Sequence, residues 1–167
     1  MKEWDRSTKK LLPETIQSEI AAAIQEHIQS YNLGPILDDY LICIETVSNK
    51  KKKPFYRLGL FDLIGDKHRI EVAIVTPRWL VVGTRGEKPD SVAALTVQLK
   101  DVVVMDHMDH PAYKAIPDTG LHVTGIFTGR VGMQGNQRIS IFLGLGEEPA
   151  ADEFKDALLK GMQSTRL

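Results

Sequence analysis

The chain lacks the sequence features that are typical of membrane proteins, disulfide-rich proteins and nucleic-acid-binding proteins. Its 167 residues include one cysteine, Cys43, which excludes an intramolecular disulfide and suits a reducing compartment. No apolar run approaches the roughly 20 residues of a membrane-spanning helix, and the first ten residues lack the apolar core of a secretory signal. The net charge of −1 supplies no global field for nucleic acid. We therefore expect a cytoplasmic protein with no transmembrane segment and no nucleic-acid partner.

Recognisable catalytic motifs are missing as well. The sequence has no Gly-x-Ser-x-Gly nucleophile elbow and no convincing pair of catalytic carboxylates. The segment 106–111, "DHMDHP", places His107 and His110 three residues apart, and His122 could join them. This spacing permits a metal but does not specify one, and a solvated loop is the favoured interpretation. We predict no enzymatic activity, no cofactor and no metal site.

An isoleucine stripe is the first strong pattern in the chain. After residues 1–12, which we expect to be a flexible arm, residues 13–33 carry an apolar side chain every four positions: Ile16, Ile20, Ile24 and Ile28. This spacing predicts an amphipathic helix with one apolar face. Two interpretations stay open: the stripe packs on its own domain, or it is an interaction surface between copies in a homo-oligomer.

Beyond Pro35 the apolar period changes from about 3.6 to 2, which predicts strands. We predict seven of them, over residues 40–48, 55–64, 69–76, 78–84, 93–106 (kinked near 100–101), 120–129 and 137–145. A final amphipathic helix is predicted over about 149–163. The pattern indicates one mainly β (α+β) domain over 36–167, built as an antiparallel barrel or sandwich.

Three stretches carry a resemblance to a known family. They are "IEVAIVTPRWLVVGT", "LTVQLKDVVVMD" and "RISIFLGLGEEPAADEFKDALLKGM". Together with the order of seven strands and one helix, they resemble the bacterial pleckstrin-homology-like (PH-like, GRAM-type) domains over about residues 36–163. The resemblance implies a PH-like barrel capped by the C-terminal helix, with Phe154 at one end of the barrel and an extra N-terminal helix. It also implies binding of lipid headgroups, peptides or partner proteins, and not catalysis.

The PH-like order of strands places three basic loops at one open end of the barrel. These loops contain eight positive charges and no acidic residue: Lys50, Lys51, Lys52, Lys53, Arg57, Arg78, Arg130 and Arg138. We expect them to form an anion-binding surface, since clustered lysines attract anionic partners. The alternative is a lysine-rich hairpin tip that only keeps the sheet soluble. A Lys/Arg-x-Arg triplet is missing before the second predicted strand, which argues against a specific inositol phosphate pocket.

The sequence therefore predicts a non-catalytic binding module. Its basic end would contact an anionic partner, which could be a membrane surface, a phosphorylated headgroup or an acidic protein segment. The alternative function is a protein-interaction or self-assembly module that uses the N-terminal helix or a strand edge.

Overall fold

A computed structural model of the chain describes residues 2–52, 65–129 and 137–167, and the strands of these residues form two antiparallel sheets. The five-stranded sheet contains, in spatial order, β1 (Trp4–Lys10), β2 (Ile42–Lys50), β3 (His68–Val75), β4 (Trp79–Arg85) and β5 (Ala93–Gln98). The three-stranded sheet contains β6 (Val103–Asp106), β7 (Gly120–Gly125) and β8 (Ile139–Gly144). Two helices, α1 (Ser18–Ser30) and α2 (Pro149–Thr165), complete the described parts of the chain. The predicted mainly β class, with antiparallel strands and a C-terminal helix, is confirmed.

Of the predicted antiparallel barrel or sandwich, the described residues show two separate sheets and not a closed barrel. The long strand predicted over 93–106 breaks at a 3₁₀ turn, Leu99–Asp101, where the chain leaves one sheet and enters the other. Leu99 and Val102 are both fully buried. In a continuous strand these residues, three apart, would point to opposite faces, whereas the turn directs both into one core. The kink that the sequence predicted is thus a change of sheet.

The N-terminal segment differs from the flexible arm expected over residues 1–12. Strand β1 pairs antiparallel with β2 along its whole length, from Trp4 beside Lys50 to Lys10 beside Ile44. Its sequence, "WDRSTKK", carries almost no apolar side chain, so the usual signal of a half-buried strand is missing. Polar contacts hold this strand in place. The predicted strand over 55–64 lies outside the described residues.

Helix α1 covers the outer face of the five-stranded sheet. It lies inside the predicted range 13–33, and its isoleucine stripe is buried together with Val72, Ile74 and Val81 of the sheet. The helix approaches so closely that a Cβ atom on Gly83 would lie 2.6 Å from Ile20 Cγ2. The stripe Ile16, Ile20, Ile24 and Ile28 is therefore covered within one chain. This burial favours the intramolecular interpretation over an interaction surface between copies.

The main core lies between the two sheets and is closed by α2. Pro149 begins this helix, and its stripe of Phe154, Leu158 and Met162 packs into the core. Phe154 is completely buried. None of the helices in the described ranges is long and apolar enough to cross a membrane.

The face of the five-stranded sheet that meets the three-stranded sheet, here called its inner face, has an apolar and a polar half. We call the end where β2 finishes at Lys50 the lysine end. Away from it, the inner face carries Ile42, Ile44, Ala73, Val75 and Leu80. Towards the lysine end, alternation along the strands places Thr46, Ser48, Arg69, Glu71 and Thr84 on the same face. The polar half is where the two sheets leave space between them.

Candidate functional site

The predicted basic surface is divided between the two ends of the five-stranded sheet. Lys50 ends β2, and Lys51 and Lys52 follow it at the lysine end. Arg78 lies in the turn between β3 and β4, at the opposite end, because β3 spans the sheet between the two positions. These lysines and Arg78 therefore do not lie together at one end of the sheet.

The remaining predicted residues do not restore that surface. Arg138 Nη2 donates a hydrogen bond of 3.0 Å to the Asp101 carbonyl, and the Leu99 N–H donates to the Arg78 carbonyl at 2.9 Å. Arg78 and Arg138 thus flank the same 3₁₀ turn, away from the lysines. Lys53, Arg57 and Arg130 lie outside the described residues.

The lysine end also carries acidic residues. Strands β2 and β3 pair directly, so the segment 65–69, which contains Asp66, meets the lysines. The β4–β5 connection begins at this end as well, since Thr84 pairs with Ala93. Lys51 Nζ lies 3.3 Å from Asp5 of β1. The charge at this end is therefore mixed, whereas the predicted anion-binding surface contained no acidic residue.

A cleft of about 490 Å³ opens between the polar half of the inner face and β8. The five-stranded sheet lines it with Arg69, Glu71, Val82, Thr84 and Leu95, and the other wall consists of residues 140–143 of β8, with Gly129 nearby. Clefts of this size, with apolar walls and a few placed polar groups, are typical of ligand sites.

The wall formed by β8 is a strand edge. Within the described ranges, β8 pairs only with β7. The Gly144 N–H points away from β7 and donates to Glu71 Oε1 at 3.1 Å, whereas the next N–H, of Leu145, donates to the Thr119 carbonyl. Backbone groups alternate in direction along an antiparallel strand, so the N–H and C=O groups of Phe142 and Ser140 also face the cleft. Such an edge is a template for pairing with another strand.

An ion pair forms the polar part of the cleft. Glu71 is almost fully buried, and its Oε2 lies 3.0 Å from Arg69 Nη2. Burial raises the pKa of the Glu71 carboxyl above its ordinary value, against the opposing effects of Arg69 and the Gly144 N–H. Arg69 is half exposed, and this ion pair occupies only part of a guanidinium group that has five N–H donors. Arg69 can therefore donate to a ligand without leaving Glu71.

A buried polar network holds the strand edge at its Gly144 end. Arg6 donates from Nε and Nη2 to the two carboxylate oxygens of Asp118, and from Nη1 to Ser48 at 2.6 Å. Its guanidinium also lies 5.3 Å from the ring centroid of Phe142. These contacts link β8 to β1 and β2 beside the cleft.

Sequence reasoning missed the residues that build this site. Arg6 is a single charge in a polar segment with no periodic signal. Glu71 offered a signal that could have been used, since "RIEVAIV" places one carboxylate inside an otherwise apolar strand. A carboxylate at such a position needs a partner, and a partner in turn indicates a polar site in the core.

The other chemical candidates do not form reactive sites. Burial, reinforced by the nearby Glu45 charge, raises the pKa of the Cys43 thiol to about 12, so it stays protonated at neutral pH. His107 Nδ1 and His122 Nε2 form a hydrogen bond with each other at 3.0 Å. Over the described ranges, no group of three or more His, Cys, Asp or Glu side chains is arranged to hold a metal ion.

Comparison of the chain with protein-family models, with curated proteins and with solved structures found no match. The resemblance to PH-like domains therefore stays a prediction, and a function has to be argued from the cleft itself.

Proposed function

We propose that this protein is a non-catalytic binding module that holds an extended, acidic segment of a partner protein in the cleft beside β8. The observation that carries the proposal is the edge of β8, whose Phe142 and Ser140 backbone groups face a cleft of about 490 Å³. A segment added to this edge gains main-chain hydrogen bonds that do not depend on its sequence.

The walls of the cleft favour alternating side chains in the bound segment. Side chains on one face of an added strand meet Val82 and Leu95 of the inner face. Those on the other face point towards solvent. An apolar residue at every second position therefore gives the segment its burial energy, at about 25 cal/mol for each Å² of apolar surface removed from water.

The positive charge of Arg69 is the reason that we propose an acidic segment. Arg69 faces the cleft with donors that suit a carboxylate, and a hydrogen bond to a charged group contributes about 1.5–3 kcal/mol. The proposal keeps the anionic partner and the strand edge that the sequence predicted. It leaves out Arg78 and Arg138, which lie away from the cleft.

The test is titration of the full chain into a fluorescein-labelled peptide of alternating valine and glutamate, followed by fluorescence anisotropy. Arg69→Ala is expected to weaken binding by about tenfold, which corresponds to 1.4 kcal/mol. Arg78→Ala is the matched control and should leave the affinity unchanged. A peptide of alternating valine and lysine should bind more weakly than the acidic one.

A second pair of variants tests the backbone edge. Ser140→Pro removes an N–H that faces the cleft without removing a hydrogen bond to β7, so it should weaken binding in a folded protein. Ser140→Ala keeps that N–H and should bind normally. Circular dichroism checks that both variants fold. The proposal is overturned if the acidic peptide does not bind, if Arg78→Ala weakens binding as much as Arg69→Ala does, or if the protein pellets with phosphatidylserine vesicles and ignores the peptide.

A further inference from the structure

Three histidines and a tyrosine stack on the outer face of the three-stranded sheet. His122 projects from β7, and residues 107–118, here called the covering segment, fold back over it. Within the covering segment, His107 is buried, and its Nδ1 lies 3.0 Å from His122 Nε2. His110 and Tyr113 also lie against His122: the Tyr113 ring is stacked on it with centroids 5.1 Å apart, and the His110 ring is tilted with centroids 4.6 Å apart. The imidazole of His122 therefore holds the covering segment to the sheet.

The hydrogen bonds fix which nitrogens carry protons. His107 Nε2 lies 2.7 Å from the Ile116 carbonyl oxygen, which can only accept, so this nitrogen carries a hydrogen. In neutral His107 the Nδ1 atom is then an acceptor, and His122 Nε2 must donate to it. One added proton can be accommodated, because His122 can change tautomer and accept from a protonated His107. A second proton places two N–H donors opposite each other at 3.0 Å and breaks the bond.

The charged side chains near the His107–His122 pair each form an ion pair with another residue. Asp106 of β6, the acid whose charge acts on His122, is paired with Lys155 of α2 at 3.1 Å. Arg6 of β1, which reaches the cluster through the Phe142 ring, is paired with Asp118.

Within the described residues, the rings of His110, Tyr113 and Phe142 also lie against His122. A further positive charge on His122 is therefore opposed by His107 and His110. Burial, reinforced by His110 and His107, lowers the pKa of His122 below its ordinary value, with Asp106 opposing the shift.

We propose that uptake of protons by the His107–His122 pair at mildly acidic pH releases the covering segment from β7. The direction follows from linkage: the released state binds more protons than the closed state, so acid favours release and neutral pH favours closure. Release would uncover the rings of His122 and Phe142 and free a segment whose Met108, Tyr113 and Ile116 side chains are already exposed. This inference does not depend on peptide binding in the cleft.

Hydrogen–deuterium exchange of the full chain at about pH 7.5 and about pH 5.5, corrected for intrinsic rates, tests the release. The amides of Tyr113, Lys114 and Ile116, which are hydrogen-bonded within the covering segment, should lose at least about tenfold in protection at the lower pH. Amides of β3 and β4 should keep theirs. His122→Phe removes the titrating group and keeps a stacking ring, so this variant should show no pH response. His68→Gln, at a histidine outside the cluster, should respond as the wild type does.

Nitrogen-15 NMR of the imidazoles gives a second readout on the wild type, independent of whether the variant folds. At about pH 7.5 both His107 and His122 should carry hydrogen on Nε2, and this signature should be lost together with amide protection. Equal protection at both pH values overturns the proposal, as does a pH response that persists in His122→Phe or a different tautomer at neutral pH.

Discussion

Arg6 and Asp118 form a two-pronged ion pair across 112 residues of sequence, with Nε–Oδ1 and Nη2–Oδ2 both at 2.9 Å. Their side chains are only 8% and 14% exposed. The pair ties the edge strand β1 to the segment that enters β7 and so connects the two sheets. It is one of the polar contacts that hold β1, whose sequence has no apolar pattern, against the rest of the protein.

The first prediction concerns this pair. Arg6→Ala leaves the Asp118 carboxylate in a largely buried place without its partner, so the free energy of unfolding should fall by about 3 kcal/mol. Urea denaturation measures the loss. Lys10→Ala is the control, because its ion pair with Glu153 is half exposed and should contribute less than about 0.5 kcal/mol. Similar losses in the two variants would show that burial does not set the strength of the Arg6 pair.

The second prediction concerns Glu71, whose carboxyl has a pKa raised by burial above the ordinary value of 4.5. Below that pH, the folded and unfolded chains are both protonated at Glu71. As the pH rises above it, the unfolded chain releases a proton that the folded chain retains, so this group destabilises the fold progressively until the folded pKa is passed. The stability of the wild type relative to Glu71→Gln should therefore be highest in acid and fall as the pH increases.

Urea titrations of both proteins between about pH 3.5 and about pH 7.5 measure this difference. Glu153→Gln, in a half-exposed ion pair, is the control and should show a smaller dependence on pH. A relative stability that rises with pH would show that Arg69 outweighs burial at Glu71.

The third prediction concerns two glycines with positive φ angles. Gly129 has φ +96°, and a Cβ atom there would lie 2.5 Å from His27 Nδ1 and 2.7 Å from the Ala94 carbonyl oxygen. Gly34 has φ +74° and no atom within 4 Å of such a Cβ. Gly34→Ala should cost about 1 kcal/mol for the backbone conformation alone. Gly129→Ala adds overpacking and should cost about 3 kcal/mol by thermal or urea unfolding. Equal costs would mean that His27 moves aside freely.

Local periodicity predicted where most of the helices and strands lie. It could not predict which strands are neighbours, and this pairing determines which loops lie at the same end of the sheet. The four-residue spacing from Ile16 to Ile28 placed α1, and alternation in "RIEVAIV" placed β3. The predicted basic surface depended on which strands are neighbours, and Lys50 and Arg78 lie at opposite ends of the sheet. Direct pairing of β2 with β3 moved residues 65–69 to the lysine end, and no local pattern reports such a contact. The cleft could not be predicted from local sequence patterns either, since Glu71 and Gly144, which contact each other beside it, are 73 residues apart.

The last prediction separates the two interpretations of the isoleucine stripe. Ile24 is 1% exposed between α1 and β4, so Ile24→Ala should leave a cavity and cost about 3 kcal/mol in the free energy of unfolding. Leu12→Ala is the control at an exposed apolar residue and should cost less than about 0.5 kcal/mol. Light scattering of the folded variants tests whether the isoleucine stripe is a contact between copies. Because the stripe is covered by its own sheet, Ile24→Ala should have the same molar mass in solution as the wild type. A lower molar mass would instead support the interpretation that the helix is a contact between copies.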